Sequence, residues 1–469
     1  MFLPAAERGI VGAEAALRIQ DNQLSGLGMR QVIIPVIVST RELDAKLLMA
    51  LHAARAGIDS IIGSHTMINL DLHLFKPGVY ICPSFTAGSA KISAIARQLG
   101  HATAAFDEAG LVWHDAESYC HRRISLKTLA NLDVVFAWGK EQGDILRSAG
   151  RDLPVRVVET GHPRIDLLRP EICAAKANDA AALKQELGDF ILVTSSFGWI
   201  NDRRYKRSWP LSSDDLQKIS DESQFTPEYV ENSWKTFQAF QRLLPELARR
   251  FPDRKIVLRP HPAEDVEVWR AAAAGLANVV IRNDLEIVTW LSAARHMIHS
   301  GSTTAIEAAF IGLDPIYYRP YPQAGLEFRQ SSAASVIASS EDELVGLLSD
   351  PAGGAARSQD LLRKLDHMVA QRAGPLASEE IATVLSELFD RGDLPRGSPA
   401  GRLAGKISSM VRRYRKLKKT DGEAPPADKF PAMAAADVQR RLDAYGERLG
   451  IRPPKVAARS ERVFRLTAR

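Results

Sequence analysis

The sequence is poor in cysteine and has no long hydrophobic run. Its three cysteines, Cys82, Cys120 and Cys173, are far apart among 469 residues. An odd and sparse set argues against a disulfide framework and against a zinc cluster, and it favours a reducing compartment. No apolar run reaches the roughly 20 residues that span a membrane. The N-terminus lacks a positively charged segment followed by a long apolar core, so we expect no signal peptide and a cytoplasmic location.

The motifs of several common nucleotide-binding classes are absent as well. No Gly-x-Gly-x-x-Gly follows the first expected strand, which disfavours a dinucleotide-dependent dehydrogenase. No P-loop pattern is present, and no convincing Asp-x-Asp pair lies at the end of an expected strand. The sequence therefore indicates neither a P-loop NTPase nor a carboxylate-bound metal, and we expect no cofactor.

Acidic residues are missing from one long stretch. None lies between Asp393 and Asp421, whereas Arg402–Lys419 holds eight Lys and Arg residues. The formal net charge is +5, so the remainder of the chain is mildly acidic and the basic character is local. Interspersed apolar residues such as Leu403 suit a helix that lies on the anionic inner membrane surface. The alternative is a solvated, disordered tail. Nucleic-acid binding is disfavoured because Tyr414 is the one aromatic residue available for stacking.

Strand-like apolar runs alternate with helix-like segments along most of the chain. Hydrophobic residues make up 45% of the composition and charged residues 25%, as in soluble globular proteins. The run RQVIIPVIVST, residues 30–40, precedes a helical pattern that stops at Gly57, and the alternation then repeats. This order predicts parallel sheets covered by helices on both faces. The predicted fold class is α/β: two Rossmann-like, doubly wound domains face a cleft, and a helical or disordered basic tail follows.

The chain is long enough for two or three domains. A segment rich in Ala, Lys and Asp near residues 168–188 is interpreted as the linker between two of them. In chain order we expect a helical lead-in at 1–29, a Rossmann-like domain at 30–170, a second one at 188–350, a helical extension at 351–397 and the basic tail at 398–469.

The segment FDEAGL, Phe106–Leu111, places two carboxylates at the end of an expected strand. Side chains at the carboxyl ends of parallel strands face the crevice where ligands bind in open α/β sheets. Asp107 or Glu108 is therefore a candidate general base towards a hydroxyl group. The alternative is a pair of solvated loop acids next to a turn at Gly110.

The segment RPHP, Arg259–Pro262, ends another expected strand. Two prolines leave the backbone around His261 few conformations. An imidazole held beside a guanidinium suits a phosphate, which needs charge neutralisation and a hydrogen-bond donor as a leaving group departs. Arg259 and His261 are therefore candidate phosphate ligands. The alternative is a strand-terminating turn with a surface histidine.

The segment MIHSGSTTAIEAAFIG, Met297–Gly312, reads as a strand, a turn of small polar residues and a helix. This layout presents backbone N–H groups and hydroxyls to an anion at the helix N-terminus. Thr304 and Glu307 also fit the spacing of a capping box, and both roles are compatible. The candidate binding residues of this segment are Ser300, Gly301, Ser302, Thr303, Thr304 and Glu307.

Three further residues follow expected strands. Arg41 comes after the first strand, where it either lines the cleft or starts the next helix. Ser195 and Ser196 follow the first strand of the second domain and are candidate contacts for donor or acceptor. The acids thus lie in the first domain and the phosphate-type groups in the second. A transferase that activates an acceptor on one side of a cleft and holds a donor on the other needs this division.

The three motifs resemble those of a known group of enzymes. FDEAGL, RPHP and HSGSTTAIEAAFIG resemble the acidic-Gly, His-Pro and Ser/Thr motifs of bacterial CMP-sugar-dependent GT-B glycosyltransferases, the sialyl- and Kdo transferases of capsule and lipopolysaccharide synthesis. IPVIVSTRELDAKLLMALHAARAG and TGHPRIDLL look like segments of bacterial surface carbohydrate biosynthesis proteins. The resemblance covers about residues 30–320. It covers neither the lead-in nor the basic tail.

The resemblance implies roles for individual residues. Glu108 or Asp107 would be the general base, and His261 would contact and protonate the CMP phosphate. Ser302 and Thr303 would bind that phosphate. In the family the acids directly precede glycine, whereas Ala109 intervenes here, so the choice between the two carboxylates stays open.

The resemblance also implies a function. The expected enzyme is a metal-independent glycosyltransferase of surface polysaccharide synthesis that transfers a sugar, an ulosonic acid from a CMP donor, to a glycan or lipid-linked glycan. It would work in the cytoplasm or at the periphery of the inner membrane. One alternative is a glycerol- or polyol-phosphate transferase, or an NDP-sugar transferase or epimerase, of the same architecture. Another is a non-catalytic nucleotide-sugar-binding component of an assembly complex.

Overall fold

The computed structural model describes most of the chain. The described residues are 30–203, 211–223, 225–322, 325, 327–350, 360–391, 398–418 and 429–469. The helical lead-in predicted at 1–29 lies outside them. Parts of the predicted extension at 351–397 and of the tail at 398–469 lie outside them as well.

The strands form two separate sheets. In chain order they are β1 Gln31–Val36, β2 Asp59–Ser64, β3 Val79–Cys82, β4 Ala102–Ala105, β5 Val134–Phe136, β6 Arg156–Val158, β7 Ile191–Thr194, β8 Ile256–Arg259, β9 Val279–Ile281, β10 His296–His299, β11 Pro315–Tyr318, β12 Val336–Ala338, β13 Lys455–Ser460 and β14 Val463–Thr467. The first sheet has the order β13-β14-β2-β1-β3-β4-β5-β6, and the second has the order β12-β11-β10-β7-β8-β9. Strands β1 to β6 pair in parallel, and so do all six strands of the second sheet.

Helices connect the parallel strands, as βαβ units require. Their bounds in chain order are α1 Ser39–Arg55, α2 His65–Leu70, α3 Ala90–Gln98, α4 Ala116–Arg123, α5 Leu126–Leu129, α6 Lys140–Ala149, α7 Pro163–Asp166, α8 Pro170–Cys173, α9 Ala177–Leu187, α10 Ser213–Ser223, α11 Pro227–Arg250, α12 Val266–Ala272, α13 Ile287–Ala293, α14 Thr304–Ile311, α15 Arg329–Ala333, α16 Glu341–Ser349, α17 Ala377–Asp390, α18 Pro399–Lys418 and α19 Ala435–Leu449. The prediction of two Rossmann-like α/β domains facing a cleft is confirmed.

The strand order explains where a ligand site forms. In the first sheet the chain runs from β1 to β2 on one side and then to β3 on the other. In the second sheet it runs from β7 through β8 and β9 and then returns to β10 on the opposite side of β7. Loops diverge at such switch points and leave a crevice at the carboxyl ends of the strands. The segments that follow β1, β7 and β10 are therefore placed at the crevices.

The C-terminal segment packs against the first domain, which the sequence analysis did not anticipate. Strand β14 pairs antiparallel with β2 and extends the first sheet, and β13 pairs with β14. Phe464 and Leu466 are fully buried there. Gly63 allows this pairing, because a Cβ atom at that position would lie 2.1 Å from the carbonyl oxygen of Arg462. The description of 398–469 as a tail is therefore wrong for its described elements, since apolar residues of β14 cover the otherwise open edge of the sheet.

Helix α18 also docks on the first domain, so the disordered alternative is wrong for Pro399–Lys418. Gly405 and Ser409 are buried against α3 and its surroundings, and Ser409 Oγ lies 3.0 Å from His73 Nδ1. A Cβ atom on Gly405 would lie 2.9 Å from Cβ of Gln98, so glycine permits the close approach. Among the described residues no helix is both long and apolar enough to cross a bilayer.

Candidate functional site

Two adjoining cavities lie between the strand ends of the two domains. The small cavity has a volume of about 110 Å³, and the larger one, here called the aromatic cavity, has about 410 Å³. Ser196 and His261 line both. Nine of the candidate residues from the sequence line the small cavity: Arg41, Ser195, Ser196, Arg259, His261, Ser302, Thr303, Thr304 and Glu307.

The Ser/Thr turn after β10 brings an open helix start to the small cavity. Thr303 is the N-cap residue of α14 and makes no side-chain capping hydrogen bond. Ser302 Oγ is buried and has no hydrogen-bond partner among the described residues. Unpaired buried polar groups are costly and rare in native proteins. The predicted capping box is wrong, because the Glu307 carboxylate instead pairs with Arg164 across the domain boundary.

Ser300 and Gly301 shape this turn rather than line the small cavity. Ser300 Oγ accepts a hydrogen bond from Ser196 N at 3.1 Å and lies 2.9 Å from Ser196 Oγ. This contact joins the loops that follow β7 and β10 at the switch point of the second sheet. Gly301 has φ of +91°, a left-handed conformation that favours glycine, and it lines the aromatic cavity.

His261 is held at the junction of the two cavities. Its Nδ1 accepts a hydrogen bond from the backbone N–H of Ala263 at 3.2 Å, which places the proton of the neutral ring on Nε2. Protein atoms around the ring partly exclude water and lower the pKa of His261 to about 4, although the residue is exposed at the cavity surface, and the positive charges of Arg41 and Lys429 act in the same direction. A phosphate anion in either cavity would stabilise the protonated ring. His261 is thus poised to donate a hydrogen bond and to gain a proton on anion binding.

Glu264 organises the loops around His261, and the sequence analysis missed it. Its Oε1 accepts hydrogen bonds from Ser195 Oγ at 2.8 Å, from Phe197 N at 3.0 Å and from His261 N at 3.2 Å. Its Oε2 accepts from Trp269 Nε1 at 2.8 Å. Burial raises the pKa of this carboxyl group. One side chain therefore joins the loops after β7 and β8 to helix α12.

Arg259 lies at the small cavity but is already engaged. Its guanidinium donates to the carbonyl oxygens of Asp284 and Leu285, the latter at 2.8 Å. Leu285 has φ of +52°, so these bonds hold a loop conformation that is uncommon outside glycine. Burial lowers the pKa of Arg259 to about 10. Arg259 was predicted to bind phosphate, but within the described residues its guanidinium donates to the backbone of this loop.

Arginines of the first domain complete the small cavity. Arg41 follows β1 and contacts Glu42 with Nη2 2.6 Å from Oε1. Arg164, which the sequence analysis did not select, follows β6 and donates to the backbone oxygen of Glu108 at 3.3 Å. Arg164 and Glu307 are almost fully buried and form an ion pair between the domains. The small cavity therefore combines guanidinium groups from one domain with a helix N-terminus from the other.

The two carboxylates predicted as general base line neither cavity. Glu108 Oε1 lies 2.5 Å from Lys46 Nζ, and Glu108 Oε2 lies 3.2 Å from His162 Nε2. Burial alone would raise the pKa of Glu108, but Lys46 and His162 together hold it well below its usual value. Asp107 pairs with Arg123 and accepts a hydrogen bond from a tyrosine hydroxyl, Tyr119, at 3.0 Å. The alternative of solvated loop acids is wrong, because both side chains are buried.

His162 belongs to this buried cluster, and the sequence analysis did not select it. The ring stacks on Trp138 with centroids 4.0 Å apart and an interplanar angle of 7°. Burial lowers its pKa to about 4 against the opposing effect of Glu108. The ring is therefore neutral near pH 7, and Lys46 is the cation that balances Glu108.

Rings from both domains form the walls of the aromatic cavity. His114, from the first domain, stacks on Phe328 at 4.5 Å and meets Tyr229 edge-on at 5.2 Å. Phe225 stacks on Tyr229 at 4.2 Å. Trp199 is 42% exposed at the same cavity. Apolar walls with a few polar groups are typical of small-molecule sites.

No group of His, Cys, Asp or Glu residues within the described part of the chain has an arrangement that could hold a metal ion. Arg41, Arg164 and Arg259 line the small cavity together with His261.

Comparisons with known proteins show the fold. No protein-family model matches the sequence, and no curated protein matches it. The chain is similar to the wall teichoic acid polymerase TagF soaked with CDPG, with a TM-score of 0.50 at 10% identity over 84% of this chain and 99% of that one. It is also similar to the UDP-GlcNAc 2-epimerase of Methanocaldococcus jannaschii, solved with UDP-GlcNAc and UDP (TM-score 0.49, 13% identity, 76% of this chain, 100% of that one). It is similar as well to MnaA of S. aureus in a structure with UDP, with a TM-score of 0.47 at 13% identity over 78% of this chain and 97% of that one. The fold is that of the GT-B class of two Rossmann-like domains.

Proposed function

We propose that the chain is a nucleotide-sugar-dependent GT-B enzyme of surface polysaccharide synthesis whose small cavity binds the phosphate of the donor. The observation that carries the proposal is the unpaired, buried Ser302 hydroxyl at the uncapped start of α14. Arg41, Arg164 and His261 line the same cavity. Hydroxyl, helix N-terminus and cations together are the groups that bind phosphate in proteins.

Within this class, we propose transfer of a sugar, an ulosonic acid from a CMP donor, as the most specific activity. When a sugar is transferred from CMP, the leaving group is CMP, which carries a single phosphate, and the small cavity has one set of anion-binding groups. His261 would gain a proton as the phosphate binds and donate a hydrogen bond to the departing oxygen. Arg41 and Arg164 would neutralise charge without a metal ion. The acceptor would be a glycan or a lipid-linked glycan.

The base that activates the acceptor is not assigned to Asp107 or Glu108 in this arrangement. Both carboxylates are held in buried ion pairs, and neither lines one of the two cavities. A general base must come within hydrogen-bond reach of the proton that it removes. We propose instead that Glu108 is a positioning residue. Its carboxylate contacts His162, whose Nδ1 accepts a hydrogen bond from the backbone N–H of Arg164, and Arg164 pairs with Glu307 at the small cavity.

Nucleotide binding tests the proposal directly. Thermal unfolding in the presence of CMP, CDP or UDP should show stabilisation by one nucleotide, by about 2.7 kcal/mol at a hundred times its Kd. CMP selectivity supports the ulosonic acid donor, CDP the polyol-phosphate alternative and UDP the NDP-sugar transferase or epimerase. Stabilisation by none of the three contradicts the proposed phosphate site.

Ser302→Ala separates a ligand role from a structural one. The hydroxyl has no hydrogen-bond partner in the described part of the chain, so its removal should leave the melting temperature unchanged or higher. It should weaken nucleotide binding about tenfold or more, because a hydrogen bond to a charged group contributes about 1.5–3 kcal/mol. Ser300→Ala is the matched control. It should lower the melting temperature, because Ser300 Oγ accepts from Ser196 N.

We also propose that α18 holds the enzyme on an anionic membrane surface. Its outward side exposes five large apolar residues spaced as one helical stripe: Leu403, Ile407, Met410, Val411 and Tyr414. The 20-residue helix contains no acid. Charge complementarity thus favours a bilayer with anionic headgroups, which would bring the cavities near a lipid-linked acceptor.

Vesicle flotation tests this membrane contact. The protein should float with vesicles that contain phosphatidylglycerol, and the floating fraction should fall as the salt concentration is raised. It should not float with vesicles of phosphatidylcholine alone. Ile407→Glu combined with Met410→Glu should abolish flotation. Leu126→Glu, at a similarly exposed leucine on α5, should not. Equal flotation of all three proteins would contradict the role of α18.

A further inference from the structure

Arg122 lies in the aromatic cavity and has no anionic partner within the described ranges. It lies on α4 of the first domain, and its guanidinium stacks over the Phe225 ring of the second at 3.6 Å from the ring centroid. Among the described residues no carboxylate pairs with it, and it donates no hydrogen bond to any of them. Its neighbour Arg123 also lines the cavity but is paired with Asp107. Arg122 is therefore available to a ligand.

The position of Arg122 makes a ligand anion favourable. The side chain is half-buried, and burial lowers the pKa of Arg122. Removing a guanidinium from water without a partner is costly, and a carboxylate or phosphate would offset that cost. The planar guanidinium also matches the two oxygens of such a group. Asp202 is the one acidic residue among the described lining residues of this cavity.

The walls around Arg122 suit a compact organic group rather than a free ion. Trp113, Trp199, Tyr229 and Phe328 line the same cavity. Aromatic rings give large apolar contact area, and a volume of about 410 Å³ is within the range of small-molecule sites. A sugar ring or a short polyol has apolar C–H faces for these walls and hydroxyls for the polar groups.

The two cavities adjoin, so one donor molecule can occupy both. Ser196 and His261 line both, so a group bonded to a phosphate in the small cavity extends into the aromatic cavity. We propose that the aromatic cavity binds the group joined to the donor phosphate, and that Arg122 selects a group with its own carboxylate or phosphate. This inference rests on the proposed function, since it places the donor phosphate in the small cavity.

Tryptophan fluorescence provides the test, because Trp113 and Trp199 line the aromatic cavity. With CMP present, the full-length protein is titrated with N-acetylneuraminic acid, with Kdo, with glycerol 3-phosphate and with neutral N-acetylglucosamine. At least one anionic probe should bind, and the neutral sugar should bind at least tenfold more weakly. Comparing the two carboxylate probes with glycerol 3-phosphate shows whether the cavity prefers a carboxylate or a phosphate.

Variants connect this selectivity to Arg122. Arg122→Gln should weaken the anionic probe about tenfold or more while the affinity for CMP stays unchanged. Arg151→Gln makes the same charge change at an exposed arginine and should have no effect. Equal affinity for neutral and anionic probes, failure of all anionic probes, or wild-type affinity in Arg122→Gln would overturn the inference. Failure of the wild-type protein to bind CMP would instead refute the proposed CMP-dependent transfer. The failure of the proposed function and the failure of this inference are therefore distinguishable.

Discussion

Replacing Glu108 with glutamine is expected to lower the free energy of unfolding by about 3–5 kcal/mol. The carboxylate balances Lys46, whose side chain is 1% exposed, and it faces the neutral ring of His162. The amide would leave the buried ammonium group of Lys46 without a counter-charge. Removing one partner of a buried ion pair costs more stability than replacing both partners with apolar residues. Urea unfolding monitored by circular dichroism measures the effect.

Two controls separate the ion pair from a catalytic role of Glu108. Glu159→Gln removes a carboxylate from a surface pair with Arg147 and should cost only about 0–1 kcal/mol. The double variant Lys46→Met with Glu108→Leu removes both charges and should recover much of the stability lost in Glu108→Gln. Wild-type stability of Glu108→Gln together with loss of turnover would refute the positioning role and restore the general-base assignment.

Glu264→Ala is expected to lower the free energy of unfolding by about 4 kcal/mol and to abolish nucleotide binding. The substitution leaves four donors without their acceptor: Ser195 Oγ, Phe197 N, His261 N and Trp269 Nε1. The loops after β7 and β8 would then no longer hold Ser195 and His261 at the small cavity. Unfolding and isothermal titration with the selected nucleotide measure the two effects.

Glu264→Gln makes this prediction sharper, because the amide keeps one acceptor oxygen. It should cost less stability than alanine, yet still weaken nucleotide binding. Glu267→Gln, at an exposed glutamate of α12 that pairs with Arg270, should change neither property. If Glu264→Gln binds nucleotide as tightly as the wild-type protein, the loops that Glu264 joins do not position the ligand groups.

The elements that the sequence predicted well are those whose signal is local. The β8 strand IVLR and the helix Ser39–Arg55 follow directly from an apolar run and from periodic apolar residues. Strand ends were recognised through small, polar and Pro residues. The principle that ligands bind at the carboxyl ends of parallel strands then placed nine candidate residues at the small cavity.

The features that the sequence analysis missed depend on contacts between segments that are far apart in the chain. Glu264 lies two positions after the segment RPHP, but nothing in the sequence distinguishes it from its neighbour Asp265. Lys46 has the spacing of an ordinary helix residue, and its partner Glu108 lies 62 positions away. Strands β13 and β14 follow the basic helix and gave no signal of pairing with β2, because edge pairing depends on which strand is left uncovered.

The order of residues along the chain alone determined the alternation of strands and helices, the two-domain division and the clustering of polar groups after strands. Only the tertiary structure decided which charges neutralise each other and which are left without a partner. The energy of an ionic or hydrogen-bonding group is set by burial and by neighbours from distant segments. For this reason two buried acids became ion-pair partners, whereas the hydroxyl of Ser302 and the guanidinium of Arg122 have no polar partner in the part of the chain that the structure describes.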